Sequence, residues 1–264
     1  YAVEDAFGTP NPLAGGVSWS ITRGSSQSGN FVREFLHLGF NAGEDGRQVH
    51  EGAYPRIAGR KLVMNVRFAT PDQHLMNMSG GMEGPQWYTS VPDKARGLAP
   101  AGLLDRCGQT ETCPKILEIF GASEFWYLHM SPGLVGMGAE ADIPLPVTVR
   151  RYYIPGTPHG GGRGGFSVTP SSVPSGPGNG ITWGRCTFAG NPMPYRETEQ
   201  ALISQFRQWV MHEISMVPSR YPRLSDDTLV APTKLAMGFP TLPAIVASSA
   251  PDAPNGMANP IKDY

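Results

Sequence analysis

The feature that most constrains this chain is a short β-rich run, VSWSIT at 17–22, that turns through GSSQSG at 24–29 into NFVREFLHLGF. Phe31, Phe35 and Leu38 recur there at helical spacing, so the segment reads as strand, tight turn, helix. Such a turn holds one side chain in a strained, exposed position at the carboxyl end of the strand. The residues two before and two after that side chain must be small, because the backbone folds tightly around them. This requirement selects among three serines. Ser25 would have Arg23 and Gln27 in those places, which is too bulky; Ser28 would have Ser26 and Asn30, a poor fit; Ser26 has Gly24 and Ser28, which fits. The resulting pattern is G-x-S-x-S, with Ser28 where the usual motif carries its second glycine. The competing reading is a serine-rich turn that merely caps the helix.

A serine hydroxyl becomes a nucleophile only beside a base, and the base needs an orienting carboxylate. With a nucleophile on a strand-to-helix turn, the chain order is serine, acid, histidine, each just after a strand. KILEIF at 115–120 reads as a strand and leads through a small GAS turn to Glu124. VTVRRYYI at 147–154 reads as the next strand and leads through PGTP to His159. Glu118 lies within its strand and is expected to point into or across the sheet, and Asp142, in a loop, is the alternative to Glu124. His37, His50, His74, His129 and His212 lack a turn at a strand end and read as surface or core histidines. The backbone N–H of Gln27, next to Ser26, is the expected donor to an oxyanion.

One motif is a decoy. GGGRGG at 160–165 matches a dinucleotide loop by letter, but FSVTPSSVPSG follows it and cannot form the helix such a loop requires. The glycines are expected instead to give the His159 loop the freedom to place its imidazole. Arg163 within them is a candidate contact for an anionic substrate group, against the plainer reading of a solvated loop arginine.

Elsewhere, residues 198–214 form an amphipathic helix pattern with Leu202, Phe206, Trp209 and Val210 on one face. GRKLVMNVRFA at 59–69 reads as a strand or a short helix, and residues 71–104 as an irregular, lid-like excursion. Beyond Pro218 the chain looks extended. Strands alternating with helices argue for an α/β sheet. Apolar residues at 40% against 16% charged can support a core, which argues against wholesale disorder. A formal net charge of −1 argues against a dedicated nucleic-acid binder, and no run of 18 apolar residues marks a membrane span. Cys107 and Cys113 flank GQTET as either a local disulfide or two free thiols, with Cys186 left over, free and buried; no ligand set for zinc is present. A bridge would favour an oxidising compartment. The chemistry read here needs no metal or organic cofactor.

GSSQSGNFVREFLHLGFN, PRIAGRKLVMNVRFATP, LLDRCGQTETCPKI, ASEFW, GTPHG and NPMPYRETEQALI together resemble the bacterial "alpha/beta hydrolase domain" proteins, large serine hydrolases, over roughly residues 17–245. The resemblance implies an α/β-hydrolase fold with Ser26 as nucleophile, Glu124 as the acid and His159 as the base. It implies a partial hydrolase domain over 1–245 and an extended tail over 246–264. Together with the residues it points to cleavage of a small carboxylic ester through an acyl-enzyme. A non-catalytic binding or assembly subunit and an acyltransferase are the alternatives. Members often carry export signals, which makes a periplasmic or secreted location the expectation. Three recognisable strands are too few for a covered parallel sheet. The chain begins at Tyr1 with about 16 residues before the elbow strand. A preceding polypeptide is therefore expected to supply further strands and a second oxyanion donor.

Overall fold

A computed structural model describes residues 3–4, 7–59, 84–126, 128–162, 164–165, 191–231, 233 and 235–238. In chain order the elements are β1 (Ile21–Ser25), α1 (Gln27–His37), β2 (Gly52–Arg56), β3 (Val91–Asp93), β4 (Leu98–Ala101), α2 (Asp105–Gln109), β5 (Lys115–Gly121), α3 (Ala122–Trp126), α4 (Pro132–Val135), β6 (Val149–Ile154) and α5 (Arg196–His212). Four strands form one parallel sheet in the order β1-β2-β5-β6. Parallel neighbours need a crossover, and α1 lies in the first of them. β3 and β4 pair separately as an antiparallel hairpin within the excursion expected at 71–104. Residues 71–83 of that excursion, 60–69 of the strand-or-helix segment and the tail from 246 lie outside the described residues.

β5 is buried along nearly its whole length, on both faces, as befits a strand inside a parallel sheet. Leu117 and Ile119 face one way, onto Leu202, Phe206, Trp209 and Val210 of α5. Those four are the residues whose spacing marked the amphipathic helix. Ile116 faces the other way, with Ala53 and Val149, onto Val32 and Leu36 of α1. Phe120 continues that second face against Phe125, Met130 and Leu134. Just beyond Pro218 the chain runs beside β6, with the Tyr153 N–H donating to Arg220 O at 2.7 Å and the Arg220 N–H to Arg151 O at 2.9 Å, but it then turns at 224–227 and 235–238 instead of staying extended.

Two further details differ from the sequence reading. The elbow strand lies later than 17–22: Ile21 pairs with Gly52 and Ser25 with Arg56, while Val17 and Trp19 are exposed. The register follows the pairing with β2 rather than the β-propensity of VSWSIT. β2 itself is a fourth strand that the sequence did not announce. Its residues GAYPR include Gly and Pro, which argue against a place inside a sheet. Pro55 is tolerated because the β2–β5 ladder is interrupted there. Pairing runs through Gly52 and Ala53, and contact resumes where the Ile57 N–H donates to Ile119 O at 2.8 Å. β1 has β2 on one side and no strand on the other among the described residues. No helix among the described residues is long and apolar enough to cross a membrane.

Candidate active site

Ser26 stands between β1 and α1 with φ 58° and ψ −119°, a conformation that L-residues rarely adopt and that persists only when the surroundings impose it. What imposes it is close packing. A Cβ built on Gly24 would lie 2.0 Å from the carbonyl oxygen of Ser28, so only glycine fits there. Ser28, by contrast, is exposed, and its side chain meets no such limit. That is why serine is accepted where a second glycine is usual. The Ser26 N–H is already taken by Arg56 O at 3.0 Å, so this amide is committed to the fold. Gln27 follows as the first residue of α1, where helix geometry leaves an amide without an intrahelical acceptor.

Glu124 sits in the turn of helix α3 directly after β5, and its carboxylate is fully buried. One oxygen accepts the Gly121 N–H at 2.5 Å, which ties the side chain back to the end of the strand. The other oxygen lies 2.5 Å from His159 Nδ1. A carboxylate can only accept, so the proton of that contact belongs to Nδ1. Nε2 is then the ring's free acceptor, and it lies 2.7 Å from Ser26 Oγ. Serine hydroxyl, imidazole and buried carboxylate thus form one hydrogen-bonded run, drawn from the ends of β1, β5 and β6. The histidine side chain is 40% exposed while the carboxylate beneath it is wholly covered, so the run opens to solvent at its serine end.

The alternatives fall elsewhere. Asp142 accepts the N–H groups of Leu224 at 2.8 Å and Ser225 at 2.9 Å, and so closes a distant turn. Glu118 does point across the sheet, onto Arg33 and Arg151, as its place inside a strand implied. His50 contacts Ser20 Oγ at 3.0 Å before the start of β1, and burial pushes its imidazole below the ordinary range. His74, Arg163 and Cys186 lie outside the described residues. The sulfurs of Cys107 and Cys113 are joined, linking α2 to the approach to β5 with a Cα–Cα separation of 4.8 Å. Among the described residues no group of three or more histidine, cysteine or acidic side chains could hold a metal ion.

The glycines after His159 do something other than confer freedom. The Gly162 N–H donates to Met193 O at 2.7 Å and the Gly164 N–H to Pro192 O at 2.8 Å. A Cβ on Gly162 would come within 2.2 Å of the Pro192 carbonyl carbon. The loop is laced closely to a second stretch of backbone, and glycine is what permits the approach. Sequence reasoning also missed Arg56, whose guanidinium touches Ser25 Oγ at 2.9 Å and Gly160 O at 3.3 Å, the neighbours of Ser26 and His159. Its signal was hidden because β2 was not recognised as a strand ending at the site.

A parallel sheet whose first strand turns sharply into a helix at a strained serine defines a hydrolase-type α/β fold. The chain belongs to the family described as "Alpha/beta hydrolase domain", whose model matches residues 2–239. No curated protein and no solved structure matches the chain.

Proposed function

We propose that the protein is a serine hydrolase that cleaves carboxylic esters through an acyl-enzyme, with Ser26 as nucleophile, His159 as general base and Glu124 as the orienting acid. The observation that carries this reading is the unbroken run of hydrogen bonds from Ser26 Oγ through the imidazole to a fully buried carboxylate. His159 Nε2 takes the hydroxyl proton as Ser26 Oγ attacks the ester carbonyl, and the carbonyl electron pair moves onto oxygen. The Gln27 N–H donates to that oxyanion. Glu124 holds the Nδ1 proton and stabilises the imidazolium that forms. When the carbonyl re-forms, the C–O bond to the alcohol breaks and the imidazolium gives the alcohol its proton. Water, activated by the same imidazole, then releases the acid and frees Ser26.

The test is covalent labelling by a fluorophosphonate, located by mass spectrometry, together with turnover of a panel of p-nitrophenyl esters. Labelling is expected at Ser26, and Ser26→Ala should lower kcat/KM by about 10⁴ or more at an unchanged melting temperature. Inactivation by Ser28→Ala with a silent Ser26→Ala would place the nucleophile elsewhere. No labelling of the folded protein would favour a binding or assembly role, and ester products formed with an added alcohol would favour acyl transfer.

We propose further that the edge of β1 that carries no strand among the described residues is covered by strands of another polypeptide segment, which also supplies the second oxyanion donor. An edge strand beside an active serine leaves unpaired backbone groups exposed. Residues 1–264 purified alone should self-associate, or turn over esters slowly while still labelling at Ser26, and a monomeric, fully active preparation would refute this. The joined sulfurs of Cys107 and Cys113 support a periplasmic or secreted location, where disulfides persist.

A further inference from the structure

His159 is carried on a loop with no strand or helix of its own, and a large part of its side chain is open to solvent. Glu124 fixes the ring through Nδ1, but one hydrogen bond to a ring does not fix the backbone that bears it. Ser26 is 133 residues away in sequence. Something must set the distance between the two backbones, and one arginine contacts the neighbours of both residues.

Arg56 ends β2, and its carbonyl oxygen accepts the Ser26 N–H at 3.0 Å. Its guanidinium spreads across the gap between the two chain segments. Nη1 donates to Ser25 Oγ at 2.9 Å, while Nη2, whose two hydrogens are shared among three acceptors, lies 2.7 Å from Tyr195 Oη and 3.3 Å from Gly160 O. The other side of the fork is held by Glu199 of α5, with Nε to Oε1 at 2.5 Å and Nη2 to Oε2 at 3.1 Å. Glu199 is itself buried and takes the Tyr54 hydroxyl at 2.7 Å. The Tyr195 ring lies under the guanidinium, 5.4 Å from ring centre to Cζ, and also under the histidine loop. A Cβ on Gly161 would come within 2.9 Å of that ring. The loop is then laced to residues 192 and 193, immediately before Tyr195.

We infer that Arg56 is a positioning residue that sets the Ser26–His159 separation by gripping the neighbour of each and fastening both to α5 through Glu199 and Tyr195. The inference rests on the hydrolase reading above. A planar fork with five donors is suited to this, because it reaches several acceptors at fixed angles; a lysine ammonium on a flexible stem cannot span them. Arg56 touches no reacting atom and acts only through the residues it holds.

The experiment compares Arg56→Ala, Arg56→Lys and Tyr195→Phe with the parent, measuring kcat and KM for an activated ester, the fluorophosphonate labelling rate and the melting temperature. Arg56→Ala should lose about 100-fold in kcat and in labelling rate, the scale on which small misplacements act, with KM within about threefold. Arg56→Lys should not restore the rate. Guanidinium chloride at tens of millimolar should restore part of kcat in Arg56→Ala, while sodium chloride should not. A folded Arg56→Ala with parental kcat, or one whose only change is a raised KM, overturns the inference. Should Arg56→Ala not fold, the other two variants decide: lowered kcat at unchanged KM in both supports the brace, and parental kcat in either overturns it. An active parent with unaffected variants sinks the brace alone. A parent that neither turns over esters nor takes the probe sinks the hydrolase reading as well.

Discussion

Glu118 and Glu124 lie six residues apart, one inside β5 and the other in the turn just after it, and both are completely buried. Their company differs. Glu118 receives Arg33 on one oxygen and Arg151 on the other, with the Tyr88 hydroxyl at 3.1 Å as a third donor. Glu124 receives one backbone N–H and one imidazole. Burial alone would push the Glu118 carboxyl up, but the guanidinium groups of Arg151 and Arg33 hold it below the usual carboxylate range. It is therefore a fixed anion between two permanent cations, and it clasps β5, β6 and α1 together. Glu124 instead faces the one side chain type whose charge ordinarily changes near neutral pH. The comparison teaches that burial does not mark a carboxylate as chemical or structural. What separates the structural role of Glu118 from the one proposed for Glu124 is whether the partner's charge can change.

The sharpest way to break this contrast is to remove the negative charge from each carboxylate in turn. Glu124→Gln should lower kcat by about 10⁴, because an amide can hold the imidazole in the wrong tautomer, while the melting temperature stays close to the parent's. Glu118→Gln should do the reverse. It strands two buried arginines and should cost about 3–5 kcal/mol of stability, seen in chemical denaturation. The folded fraction of that variant should retain most of its kcat. Loss of stability in Glu124→Gln with intact turnover would reverse the assignment.

Acid denaturation sharpens the same contrast. With its folded-state value depressed, Glu118 contributes stability that is present above the unfolded carboxyl value of about 4.3. That contribution is lost as the pH falls through the lower, folded value. The parent should therefore lose stability steadily below about pH 4, and Glu118→Gln should show a flatter acid limb. Equal limbs in the two proteins would mean that Glu118 is not held as an anion. The smallest effect is expected at the start of β5. Reduction of Cys107–Cys113 should add 2 Da to the intact mass and cost about 2 kcal/mol, since the loop it closes is short. Turnover should stay unchanged, because the bridge touches neither carboxylate.

The parts of the site legible in the sequence were those whose demands are local. A tight turn was read as requiring small residues two before and two after the nucleophile, and Gly24 with Ser28 singled out Ser26 from its neighbours. Strand ends followed by short turns picked out Glu124 and His159. The amphipathic period of α5 gave its buried face. What stayed hidden depends on residues distant in sequence. Arg33, Glu118 and Arg151 are three charged residues on three elements, and no spacing rule joins them before the sheet order is known. β2 was hidden because a strand can carry proline when the ladder beside it is interrupted. With β2 unrecognised, neither Arg56 nor its partner Glu199 could be placed near Ser26. The glycines after His159 were read as slack, because composition does not tell close packing from freedom.

The crowding at the elbow also fixes how this segment can be diversified. Gly24 has a carbonyl oxygen at 2.0 Å from where any side chain would begin, so a library over residues 24–30 should return glycine alone at that position. Three residues on, Gln27 is exposed, and its proposed contribution comes from the main chain, so nearly any side chain should survive there. Positions three residues apart thus run from invariant to unconstrained within one turn of chain. A laboratory search for altered substrate range would find little room inside that turn. Its variation has to come from side chains that face the serine from other parts of the fold.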